Sequence, residues 1–135
     1  MRIARVLERS IHTEPFDAGR LEAVGLKAFG RVIEAWKVRN ADAAVLLGVS
    51  GRTWSRAKTG EAVRLTADSL DRISAVVGIY KGLHLYFSDA LADRWVRLEN
   101  EGPPFQGRAP LAYMTGGLPN LLATRAYVDA LRGGL

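Results

Sequence analysis

Apolar side chains recur at three- and four-residue intervals along most of this 135-residue chain, and nowhere do they alternate in the two-residue rhythm of a strand. The pattern predicts an all-α fold. From about Ala18 to Trp36, Leu21, Val24, Phe29, Val32, Ile33 and Trp36 mark one helical face. Gly25 and Gly30 interrupt it, so one broken helix or two short ones are expected. Thr66 is a plausible cap, after which Leu70, Ile73, Val77, Tyr80 and Phe87 predict a long helix with Gly78 and Gly82 inside it. Interior glycines cost about 1 kcal/mol each relative to alanine, and close helix packing is the use that would justify them. Ser88 and Asp89 redirect the chain, and Leu91, Trp95 and Leu98 form the stripe of another helix that Gly102, Pro103 and Pro104 would end. A short turn from Pro110 to Met114, stopped by Gly116 and Gly117, precedes a last helix starting near Pro119 and carrying Leu121, Val128 and Leu131. Residues 1–20 mix Arg2, Arg5, Arg9 and Arg20 with scattered apolar positions around Pro15, and read as an arm or a weak helix.

One stretch, Asn40 to Gly60, carries the pattern of a helix-turn-helix. Ala43, Ala44 and Leu47 give a first helix a narrow apolar face that a second helix can cross closely. Gly48 suits the left-handed residue that ends such a helix, and Val49 can then point back to the core. Ser50 is a helix-starting residue type, so the second helix is expected to begin near Gly51. Within it Trp54 and Ala57 face inward with Val49, which leaves a basic and hydroxylic outer side.

Ser50, Arg52, Thr53, Ser55, Arg56, Lys58 and Thr59 are therefore the candidate DNA-binding residues. Arginine can grip guanine bidentately or hold a phosphate, and serine and threonine do either job less selectively. Lys58 lies nearer the flank and suits the phosphate backbone. The same residues are also compatible with a helical hairpin whose basic face is merely solvated.

Charge favours the first reading through its location. Nineteen Lys and Arg against fourteen Asp and Glu give +5 and a pI of about 10.0. Between Trp36 and Gly60, Lys37, Arg39, Arg52, Arg56 and Lys58 stand against Asp42 alone, so four of the five surplus charges sit on the proposed reading unit. At 48 % hydrophobic, the chain can bury one core with a smaller satellite subdomain. There is no cysteine, which excludes disulfides and thiolate metal sites. The N-terminus lacks the apolar centre of a signal peptide, and no run approaches the roughly 20 apolar residues of a membrane span, so a cytoplasmic home is expected. Catalysis finds little support. His12 and His84 are the only histidines, and no acidic pair is spaced to bring ligands or acid and base together on one helical face, so no catalytic residue, metal site or cofactor is expected. His84 reads as a structural histidine.

Beyond the helix-turn-helix, a series of marks resembles the MbcA/ParS/Xre antitoxins, the DNA-binding partners of RES-domain toxins. The marks are Gly25-Leu26, the block Leu47-Gly48-Val49-Ser50-Gly51-Arg52-Thr53-Trp54, Asp71-Arg72-Ile73, Trp95 with Asn100, Phe105 to Leu111, and Leu131 with Gly133. They run in order over about 110 residues. Trp54 stands where the family more often has a smaller aliphatic, and the link from Asn100 to Gly107 is longer than usual. After the arm or weak helix of residues 1–20, the resemblance implies a helix-turn-helix domain with a long following helix (21–87) and a helical toxin-binding domain (88–135). It further implies a homodimer or larger toxin–antitoxin complex that represses its own operon at operator double-stranded DNA. Its partner would be a NAD-consuming RES-domain toxin encoded nearby, whose active-site cleft it covers. By that analogy Tyr127, Arg132, Gly133, Gly134 and Leu135 are the candidate toxin-binding residues. From the residues alone, Phe105, Leu111, Tyr113, Met114 and Tyr127 form an apolar set that fits a partner surface or a core; Phe105, Leu111 and Trp95 read as core. The alternative function is an ordinary helix-turn-helix regulator whose C-terminal helices dimerise or sense a ligand.

Overall fold

The computed structural model describes residues 18–133, and among these every regular element is helical. In chain order they are α1 (Ala18–Ala35), α2 (Asn40–Leu47), α3 (Gly51–Lys58), α4 (Ala67–Tyr86), α5 (Asp89–Arg94), a 3₁₀ turn (Trp95–Arg97), α6 (Pro110–Met114) and α7 (Leu118–Arg132). The all-α expectation holds. Residues 1–17 of the expected arm lie outside the described residues, while Ala18, Gly19 and Arg20 form the first turn of α1.

Helix α4 is the element on which the others are arranged. It packs against α1 and α7, and also meets α2 and α5. Its N-terminus is fixed by the Thr66 hydroxyl, which accepts the Ser69 N–H at 3.1 Å, and its buried face runs through Ile73, Ala75, Val76, Ile79 and Leu83. Gly82 has the expected use. A Cβ on it would stand 2.7 Å from Val128 Cγ1, so α7 lies on α4 at a separation that a larger residue there would widen, while Gly78 is covered by the Arg125 guanidinium, the far end of a flexible side chain.

Helix α1 is a single unbroken helix rather than a broken one. Gly25 lies over Ile73 of α4 at ordinary contact distance, with its would-be Cβ 3.5 Å from Ile73 Cγ2, and burial of Phe29, Val32, Ile33 and Trp36 further along holds the helix against its local weakness. The expected helix through Leu98 is corrected in the other direction. Regular α-helix stops at Arg94, one 3₁₀ turn completes it, and Leu98 is extended and exposed, well before Gly102.

From there an irregular loop returns on itself. The Gly107 N–H donates to the Asn100 carbonyl at 2.8 Å, and the Asn100 N–H donates to the Arg108 carbonyl at 3.2 Å. This closure delivers Phe105, fully buried, into a cage of Trp95, Tyr113 and Tyr127 with ring centroids 5.7, 5.4 and 5.1 Å away, all near edge-to-face. Phe105 and Trp95 are core as expected, and Leu111 is packed against the core while partly exposed. Buried apolar side chains form one contiguous cluster from Phe29 in α1 to Val128 in α7.

Candidate nucleic-acid interface

The turn between α2 and α3 is built from three local devices. Gly48 adopts φ +77° and ends α2, its N–H bonding the Val45 carbonyl at 3.1 Å while the Val49 N–H bonds the Ala44 carbonyl at 3.0 Å. This pairing is a Schellman motif, and it returns Val49 to the core. The Ser50 hydroxyl then accepts the Thr53 N–H at 3.1 Å and donates to Thr53 Oγ1 at 3.0 Å, starting α3 one residue later. Arg72 of α4 braces the turn from below, with Nη1 donating to the Val45 carbonyl at 3.2 Å and Nε paired with Asp68 at 2.8 Å. Asp71-Arg72-Ile73 was visible in the sequence as a family mark; this contact gives Arg72 a physical role.

Helix α3 is fixed by its inner face. Trp54 is buried and meets Phe29 edge-on with centroids 5.6 Å apart, and its indole N–H donates to Asn40 Oδ1 at 3.2 Å. The same oxygen accepts from Lys58 Nζ at 3.0 Å. Asn40, the first residue of α2, thus ties α3 to the start of the preceding helix at two points one turn apart. Leu46, fully buried, completes the floor beside Ala43, Ala44 and Leu47.

The outer face of α3 carries the candidate residues in distinct states. Ser50, Arg52, Ser55, Arg56, Lys58 and Thr59 are all exposed, and Thr53 is half-buried. Arg52 makes no side-chain hydrogen bond or ion pair within the described chain. Arg56 donates through Nε to Glu61 at 3.1 Å, Lys58 is held by Asn40, and the Thr59 hydroxyl closes the helix on the Arg56 carbonyl at 2.9 Å. Ser50 and Thr53 are occupied with each other and with the helix end. A groove of about 840 Å³ runs alongside, between α1, Trp54 and Lys58 of α3, and the segment 60–64. Its rim mixes Lys27, Arg31, Lys37 and Arg64 with Glu34 and Glu61. Asn40 and Glu61 were not among the expected site residues; neither type, taken alone in a sequence, distinguishes itself from an ordinary surface residue.

The C-terminal candidates fall into two environments. Tyr127 is half-buried in the Phe105 cage, its hydroxyl facing Gly102, where an added Cβ would lie 2.6 Å away. Arg132 and Gly133 are exposed and, with Asp129, Leu85 and Tyr86, line a shallow depression of about 400 Å³ where α4 and α7 end together. Leu85 and Tyr86 are among the most exposed large apolar side chains, at 73 % and 50 %. Gly134 and Leu135 lie outside the described residues.

His84 is a satisfied structural histidine, as its sequence setting suggests, and the groups that satisfy it are two carboxylates. Asp89 and Asp93, one turn apart on α5, converge on it: Nδ1 lies 2.9 Å from Asp89 Oδ1 and Nε2 lies 2.7 Å from Asp93 Oδ1. Burial pulls the imidazole pKa down, but hydrogen bonding to Asp89 and Asp93 and their charges outweigh it and leave the pKa raised above the ordinary 6.5. Tyr80 packs on the ring with centroids 4.4 Å apart, and burial, then the Asp93 and Asp89 charges, raise its own pKa. No group of three or more carboxylate or imidazole side chains among the described residues is arranged to hold a metal ion, and no described helix is long and apolar enough to cross a membrane.

Residues 15–78 match the model of the antitoxin Xre-like helix-turn-helix domain. The chain is also 34 % identical over 124 residues to a curated protein named "Uncharacterized protein y4oB" from Sinorhizobium fredii (strain NBRC 101917 / NGR234), spanning 87 % of this chain and 91 % of that one. The match to the domain model ends within α4; the likeness to the Sinorhizobium protein extends into the C-terminal helices as well.

Proposed function

Because residues 15–78 form an antitoxin Xre-like helix-turn-helix domain, we propose that the chain is an antitoxin that neutralises a RES-domain toxin encoded nearby and represses its own operon at operator double-stranded DNA. The observation that carries the DNA half is the outer face of α3, where Arg52 and Ser55 stand exposed and unengaged on a short helix anchored from behind by Trp54 and Asn40. An anchored helix with an exposed basic face is what major-groove reading requires. A homodimer would place two such faces about 34 to 36 Å apart or at a multiple of that distance.

The toxin half rests on the exposed end of α7. Arg132 and Gly133 sit beside the apolar pair Leu85 and Tyr86, a combination of a fork-shaped cation and uncovered apolar area that suits a protein partner. In this reading Gly134 and Leu135 also contact the NAD-consuming enzyme, and Tyr127 does so from its separate place in the aromatic cage. Co-expression with the neighbouring RES-domain protein tests it: the two are expected to co-purify and cellular NAD to be spared. Absence of a complex, or equal NAD loss with and without this chain, overturns the antitoxin reading and leaves a regulator whose C-terminal helices serve another purpose.

A further inference from the structure

We propose that Glu61 is a positioning residue that aims Arg56 at a base, making Arg56 a reader of guanine; this rests on the reading of α3 as the DNA-facing helix. The chain is folded to deliver Glu61 there. Gly60 takes φ +84°, with its N–H bonded to the Ala57 carbonyl at 3.1 Å, so the backbone turns back across the end of α3. The Glu61 N–H then donates to the carbonyl of Arg56 at 3.1 Å, and the Glu61 carboxylate accepts from Nε of the same arginine at 3.1 Å. Backbone and side chain of Glu61 thus both engage Arg56.

The atom chosen decides what remains available. Glu61 takes Nε, and neither terminal nitrogen of Arg56 makes a hydrogen bond within the described chain. A guanidinium held this way keeps its two terminal nitrogens as a planar pair of donors, which matches the N7 and O6 acceptors that guanine presents in the major groove. With both side chains about half exposed (48 % and 53 %), the pair adds little to stability, so its consequence lies in direction rather than in folding. The same carboxylate repels a phosphate, which works against using Arg56 as a non-specific backbone clamp. Arg52 has no such acid beside it.

The test uses the full chain and a duplex that it selects from a randomised pool, with a scrambled duplex for comparison. Arg56→Ala should abolish the preference for guanine at one position of the selected duplex. Glu61→Gln should weaken that preference roughly three- to tenfold, a fraction of the discrimination a good bidentate pair gives, while binding to the scrambled duplex tightens. In the Arg56→Ala background Glu61→Gln should leave the base preference unchanged. Glu99→Gln removes the same charge from an exposed residue outside the helix-turn-helix and separates a local effect from a change of net charge. A Glu61→Gln protein that keeps every base preference, or whose gain on DNA equals that of Glu99→Gln, overturns the assignment. A wild-type chain that selects no duplex at all overturns the DNA reading itself. Unchanged fluorescence of the three buried tryptophans, Trp36, Trp54 and Trp95, verifies that each variant is folded.

Discussion

Gly48 is held at φ +77° between α2 and α3, and the space its missing side chain leaves is filled by Arg72, whose Nε would stand 2.9 Å from an added Cβ. Gly48→Ala is therefore expected to lose about 1 to 2 kcal/mol from the left-handed backbone alone, with a further loss from displacing Arg72 off the Val45 carbonyl. Urea unfolding measures it, and a variant as stable as wild type would show that the turn relaxes freely. The arginines and lysine of α3 separate by the same reasoning. Arg52, in the first turn of α3, sits at the end of a reading helix that meets base edges. Arg52→Ala should cost about 1 to 3 kcal/mol on a selected duplex and relax preference at one position. Lys58 stands at the far end, on the flank, where a phosphate partner is expected. Lys58→Ala should weaken all duplexes alike and reduce the salt slope by about one. Binding titrations at several salt concentrations distinguish the two; equal losses on every sequence for both variants would mean that α3 reads no bases.

Among the elements, α5 is the one whose attachment responds to pH. Besides the burial of Ala92 in the core, α5 is tied to α4 through His84, which bridges Asp89 and Asp93 only as the imidazolium, since both ring nitrogens must then donate. The folded pKa is raised above 6.5, so the stabilisation is fully present below that value and is lost as pH rises through the folded pKa. Denaturant midpoints are expected to fall over that window, and Asp93→Asn, which removes one of the two carboxylates, should flatten the fall. An equal fall in the variant would assign the pH dependence elsewhere. The sequence reading missed this cluster because the partners lie five and nine residues from His84, across a helix break that turns α5 back. Helix periodicity describes neighbours within a helix, not across a corner. The helix-turn-helix was legible for the opposite reason: cap, left-handed glycine and inward tryptophan all act within a few residues. The continuity of α1 was not legible, because propensity counts Gly25 and Gly30 as weak while the burial that offsets them comes from α4, distant in sequence. Asn40 and Glu61 stayed hidden since their partners are fixed by how α3 crosses α2 and how Gly60 turns.

At the scale of the whole molecule, α4 belongs to both ends of the chain. Its Ile73 side packs toward α1 and the reading unit, its Gly78 and Gly82 side receives α7, and buried side chains run without interruption from Phe29 to Val128. An occupant of the exposed end of α7 that binds only the folded chain therefore stabilises α2 and α3 too, by mass action through one shared fold rather than by contact. That coupling requires the molecule to unfold as a unit, which Phe105→Ala examines. Phe105 is fully buried in its cage, and its truncation is expected to cost about 3 to 5 kcal/mol. If the fold is one cooperative unit, hydrogen-exchange protection should fall by a similar free energy in the slowest amides of α1 and α4, far from the cavity, and circular dichroism and tryptophan fluorescence should report coincident melts. Protection retained in α1 while α7 loses it would show two independently folding halves, and a partner bound at the C-terminal surface would then have no route through stability to the DNA-facing helix.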